Sequence, residues 1–234
     1  MKEYLWALSL FFFAIITAPY LITGFYFTPG IISIPDLIDL LLYPVIIGYI
    51  LFLIYKELFR DYQGYLDPLY FLLIIIHFVG HGFHWAANAI NETIKHFDGA
   101  STYAANYAYY LDEIISHKIM FYSIIGIFYI ILYMAIRYGV GKGEKALKIM
   151  TIPALVFSFS FSAAMVEGQC PYELLITTII FLLITIWYAR RDLSKLNNNY
   201  VIAFFFIASV FSLALASTYY IIFRGFPQPS EILH

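Results

Sequence analysis

The chain has 234 residues, 62% of them hydrophobic and 12% charged, with a mean hydropathy of +0.81. Polar side chains are too few to cover a water-exposed surface, which excludes an ordinary soluble domain and makes lipid the expected surrounding solvent and neighbour. A formal net charge of −2 without a basic block excludes nucleic acid as a partner, and the single cysteine, Cys170, excludes an internal disulfide.

A spanning helix needs about 20 apolar residues at ~1.5 Å rise each. Runs of that kind follow one another at about 4–27, 37–59, 68–91, 103–138, 148–168, 172–189 and 199–224. They predict an all-α, polytopic bundle of about seven transmembrane helices, a single integral membrane domain over 1–234 placed in the cell membrane. The first run is too long for a signal peptide and lacks a small-residue cleavage site, so it reads as a span. Asp36 and Asp39 open the second run as N-terminal caps that complement the helix dipole, and Tyr43-Pro44 predicts a kink within it.

Basic residues sort to one side once seven spans are drawn. Lys2, Lys56, Arg60, Arg137, Lys142, Lys145, Lys148, Arg190, Arg191 and Lys195 share the side of the N-terminus, while Lys95 and Arg224 fall on the other and Lys118 lies within the fourth span. The positive-inside rule then predicts a cytoplasmic N-terminus and a C-terminus outside.

The third run contains His77, His81, His84 and Asn88. At 100° per residue the last three lie within about 40° of His77, so the four form one polar stripe, bordered by Gly80 and Gly82, which let a neighbouring helix approach. The fourth run supplies Glu113 and His117, four apart and on one face, with Asp112 pointing elsewhere. If the third and fourth helices form an antiparallel hairpin closing near 95 and 102, facing positions sum to about 197, which sets Glu113 against His84 and His117 against His81; measured from the cytoplasmic ends, Asp67 and Arg137, the match moves by about six residues, ~9 Å, and both stripes stay in the outer half of the bilayer. The fifth run ends in Glu167-Gly-Gln169 on the same outer side. Tyr103, Tyr107, Tyr109, Tyr110 and Tyr219 would line such a region, although tyrosine is expected at membrane interfaces in any case.

Ionisable groups within a span cost several kcal/mol, so a cluster of them marks a site. Imidazole and carboxylate together are ligands for zinc, iron, copper and manganese. The expected metal ligands are His77, His81, His84, His117 and Glu113, with zinc first, iron or copper next, and haem a lesser option. Glu113 and Glu167 are candidates for acid–base catalysis, and Asn88 for orienting a ligand or polarising a carbonyl. The expected function is a metal-dependent membrane hydrolase acting on a lipid or amphiphile near the outer face. Alternatives are a di-iron lipid oxidoreductase, a metal-ion or proton transporter, and a redox subunit with haem between His81 and His117. The apolar stretch from Leu72 to Ile76 below His77 disfavours a through-channel, and the seventh run has no lysine for a retinal Schiff base.

Phe83-His84 followed by Leu111-Asp112-Glu113 resembles the alkaline ceramidases and their seven-helix hydrolase relatives, whose zinc is held by intramembrane histidines. The likeness covers only these residues. The chain has no HxxxH near its C-terminus, where His234 is the sole histidine after His117. What the resemblance implies is that a zinc hydrolase site of this kind is chemically reasonable in such a bundle.

Overall fold

A computed structural model describes residues 1–21, 26–28, 32–60, 62, 64–98, 102–229 and 232; residues 22–25 of the first predicted run and His234 lie outside them, and the last two positions of that run, Tyr26 and Phe27, are extended rather than helical. Among the described residues the chain is helical apart from its connections and one short antiparallel pair. Helix α1 spans Lys2–Leu21, strands β1 (Tyr26–Thr28) and β2 (Ile32–Ser33) pair, and α2 spans Ile34–Leu58. Then come α3 (Leu66–Asp98), α4 (Tyr103–Tyr110), a π-helical segment (Leu111–Ser116), α5 (His117–Tyr138), α6 (Ala146–Glu167), α7 (Pro171–Ala189), α8 (Ser194–Asn197) and α9 (Tyr200–Phe223). Six helices among the described residues are long and apolar enough to cross a membrane, with α4, the π segment and α5 forming one rod, Tyr103–Tyr138.

Local chemistry sets the helix ends. The side chain of Asn199 accepts from the amides of Val201 and Ile202 and starts α9. Thr102 caps α4 through Ala105 N, and Pro171 occupies the first turn of α7, where no amide donor is needed. Gly139 closes α5 at φ +70°, a conformation that a Cβ would strain. α2 continues through Pro44. α3 runs well past the apolar boundary at 91, because a helix satisfies its own backbone through a polar stretch, and Lys95 pairs with Glu92 across its last turns at 2.9 Å.

α3 packs against α5, α6 against α9 and α1, and α7 against α9. Aromatic rings fill the centre: Phe157 stacks on Phe161 at 5.1 Å, and Phe128 meets both edge-on at 5.5 and 5.8 Å. One end of the bundle is tied by backbone bonds between loops, Gly143 N to Asn198 O (3.0 Å) and Tyr200 N to Gly141 O (2.8 Å), and by the terminal amine of Met1, 3.6 Å from Glu57. The starts of α1, α6 and α9 and the ends of α2 and α5 therefore share that end. The polar stripe of α3 lies toward the opposite one.

Candidate functional site

The hairpin register is fixed by close packing at one glycine. A Cβ on Gly80 would stand 2.9 Å from Met120 N and 2.9 Å from Ile119 Cγ2, so only glycine allows α3 this near to α5. Gly82 does not share the role, since nothing lies within 4 Å of its Cβ position. In this register His77 Nδ1 reaches Met120 O at 3.1 Å, and the two numbers sum to 197.

The stripe on α3 divides between two neighbours. His77 and His81 turn to α2. His77 Nδ1 donates to the Met120 carbonyl, so its Nε2 is the acceptor for the hydroxyl of Tyr43 at 2.9 Å. With both ring nitrogens engaged and 2% exposure, His77 ties α2, α3 and α5 together and is not placed as a ligand. His81 stacks on the Tyr43 ring, 4.4 Å between centroids at 19°, and its Nε2 donates to Asp39 O at 3.1 Å, with the Asp39 carboxylate 3.6 Å away. Its Nδ1 is buried without a hydrogen-bond partner among the described residues. The expected contact between His81 and His117 does not form, because α2 captures His81 first. Asp39 therefore joins α2 to α3 through His81 in addition to standing in the first turns of α2.

His84 turns the other way. Its Nδ1 lies 2.6 Å from Asp112 Oδ1, and its ring is 4.6 Å from that of His117. The approach to Asp112 is close but off the hydrogen-bond direction, and neither atom has a hydrogen-bond partner among the described residues. Asp112, which a regular helix would direct elsewhere, reaches His84 because Leu111–Ser116 winds as a π-helix and its wider turn rotates the side chain toward α3. In the same segment the amide of His117 bonds Ile114 O, and the Glu113 carbonyl receives His117 Nδ1 instead at 2.9 Å. Ser116 closes the turn by donating to the Asp112 carbonyl.

The chain after α9 returns over this cluster. Gln228, 8% exposed, donates through Nε2 to Glu113 Oε2 (3.1 Å) and to the Glu167 carbonyl (2.6 Å), and its Oε1 accepts from Tyr109 at 3.1 Å. Gln169 in turn donates to the Tyr109 hydroxyl at 3.2 Å. Tyr219 anchors the returning segment by donating to Pro227 O at 2.8 Å.

No protein-family model, curated protein or solved structure matches this chain.

Of the expected site residues, His84, Glu113, His117 and the backbone of Glu167 come together, and Asn88 sits one turn beyond His84 on α3. Among the described residues no three His, Cys, Asp or Glu side chains converge closely enough to hold a metal ion. Gln228 lies outside the expected set, and its one sequence signal is its setting between Pro227 and Pro229. Asp112 is expected to point elsewhere by helix periodicity, since π winding carries no residue pattern of its own, although Leu111-Asp112-Glu113 with His84 carries the resemblance to the alkaline ceramidases.

Proposed function

We propose that this chain is a seven-span membrane enzyme, N-terminus in the cytoplasm and C-terminus outside, that hydrolyses an ester or amide linkage of a lipid or other amphiphile near the outer face of the cell membrane. α1 is the seventh span, since 20 residues at ~1.5 Å reach about 30 Å. The orientation is supported by Lys2, Arg60 and Lys142, which meet around one polar cavity of about 420 Å³ at the tied end of the bundle.

The observation that carries the catalytic reading is the His84–Asp112 contact at 2.6 Å, beside the ring of His117 and the carboxyl of Glu113. We assign the proton of the neutral ring to Nδ1, beside the Asp112 carboxylate, which leaves Nε2 to do the chemistry. Nε2 of His84 takes a proton from water as the water oxygen bonds to the carbonyl carbon. When the tetrahedral adduct collapses, the bond to the alcohol or amine breaks and that leaving group takes the proton back. Asn88 is assigned to polarising the carbonyl, and Glu113 and Glu167 to holding the polar end of the substrate.

A divalent ion, zinc first, is the second reading. It is favoured by His84 and His117 both directing Nδ1 at an oxygen, which presents Nε2 as metal ligands do. His84, His117 and Glu113 are the donors available, and among the described residues they do not converge on one point. The ion would supply water activation and carbonyl polarisation, and the proton transfers above belong to the chain in either case.

The test is turnover of ester- and amide-linked amphiphiles by the purified protein in lipid nanodiscs. His84→Ala is expected to lower kcat by about 10²–10⁴-fold, the usual range for a positioned acid–base group. Turnover equal to wild type would remove the enzyme reading.

A further inference from the structure

Three cations gather where α7 ends. Arg190, Arg191 and Lys195 line a cavity of about 220 Å³ together with the rings of Trp187 and Tyr188. The guanidinium of Arg190 lies over the Trp187 ring at 5.1 Å, and the ammonium of Lys195 over the Tyr188 ring at 4.9 Å. A ring face holds a cation in place without consuming its N–H donors. Among the described residues none of the three side chains donates a hydrogen bond or forms an ion pair. Asp192, the one acid in the sequence between Trp187 and Tyr200, accepts from the amide of Ser194 at 3.0 Å, and the segment keeps a net charge of +2.

The depth of this pocket decides what kind of anion it meets. α7 is among the helices long and apolar enough to cross a membrane, and Trp187 stands in its last turn, where indole rings sit at the level of lipid headgroups. Behind it along the helix, Ile176, Ile180, Leu183 and Trp187 are all exposed and recur at i, i+4, i+7 and i+11, so one apolar face of α7 leads up to the cations. From Ile176 to Trp187 is ~16 Å at ~1.5 Å per residue, about half of a ~30 Å hydrocarbon core and so the reach of one leaflet. A free phosphate makes no use of that face. A phospholipid lays an acyl chain along it and brings its phosphate to the cations.

We propose that Arg190, Arg191 and Lys195 bind the phosphate of an anionic phospholipid whose acyl chain lies on the exposed face of α7 between Trp187 and Ile176. The net charge of +2 favours a lipid with a net negative charge over a zwitterionic one, whose ammonium would meet the same cations. The inference needs α7 to span the bilayer and is independent of the chemistry at His84.

Lys145 and Lys148 supply the control. They are exposed cations at the start of α6, joined to α8 by Leu147 N donating to Asn197 Oδ1 at 3.3 Å, and they make no ring contact among the described residues.

The experiment titrates the full chain, purified in detergent micelles, with phosphatidylglycerol or phosphatidylcholine, and native mass spectrometry gives the dissociation constant of the first lipid retained. Wild type is expected to hold phosphatidylglycerol about 25-fold more tightly, at about fivefold per unit of net charge in the pocket. Arg190→Gln/Lys195→Gln should remove that preference and leave the affinity for phosphatidylcholine unchanged, since the α7 face is intact. Lys145→Gln/Lys148→Gln, which deletes equal charge at the same end of the bundle, should keep the preference within about twofold of wild type. Arg191→Gln, with no ring contact to lose, should cost about fivefold and carries the test if the double variant unfolds. Equal affinity for the two lipids in wild type, or equal losses in the two double variants, would overturn the proposal. So would glycerol phosphate binding as tightly as phosphatidylglycerol, which would assign the pocket to a soluble phosphate.

Discussion

His84 and Asp112 meet at 2.6 Å between Nδ1 and Oδ1, in a pocket where Asp112 is 2% exposed. The contact joins α3 to the π-helical turn and depends on that turn, since a regular 3.6-residue repeat would rotate Asp112 away by about 100° from the face of Glu113 and His117. A wider turn is less favourable than an α-helical one and recurs at functional sites. Here it places one carboxylate against an imidazole and exposes one carbonyl to another imidazole.

Asp112→Asn keeps the shape of the side chain and removes its charge. Its expected effect is a fall in kcat of about 10²–10⁴-fold, because the amide can stabilise the wrong His84 tautomer. Thermal unfolding should shift by only a few degrees. A variant that lost stability and kept kcat would make the pair structural.

Gly80 and Gly82 give a matched stability test. Gly80→Ala puts a methyl 2.9 Å from the Met120 backbone and is expected to destabilise by about 1–3 kcal/mol, the usual cost of overpacking. Gly82→Ala meets nothing within 4 Å and should stabilise by about 0.5–1 kcal/mol through helix propensity. Reversible unfolding in mixed micelles measures both, and equal effects would refute the close approach at Gly80.

Tyr43→Phe strips the donor from His77 Nε2 in a site where Tyr43 is 5% exposed. Leaving that nitrogen buried and unsatisfied should cost about 1–3 kcal/mol. Turnover should persist, because His77 and Tyr43 lie on the α2 side of the stripe. A large kcat loss without loss of stability would instead move them into the chemistry.

Elemental analysis decides the ion. The metal reading expects about one zinc per purified chain, lost in His84→Ala/His117→Ala and retained in His77→Leu, whose ring nitrogens are already bonded to Met120 and Tyr43. Equal, negligible metal in all three would leave the His84–Asp112 pair to act alone.

The apolar runs determined where the six long apolar helices lie, with α3 outrunning its apolar boundary, because hydrocarbon accepts only backbone that bonds to itself and apolar composition records that demand directly. The 3.6-residue period likewise brought His77, His81 and His84 onto one face of α3, and His77 and Met120 meet at the hairpin sum of about 197 that was drawn for Glu113 with His84 and His117 with His81. Tertiary structure decided how that face was shared. α2 took His77 and His81 through Tyr43 and Asp39, the π turn swung Asp112 to His84, and Gln228 returned to Tyr109 across 119 positions of sequence to bridge Glu113 and Glu167. Periodicity fixes which side chains share a helix face, but which neighbour captures each of them depends on where helices cross and how one turn winds, and those follow from packing the whole chain at once.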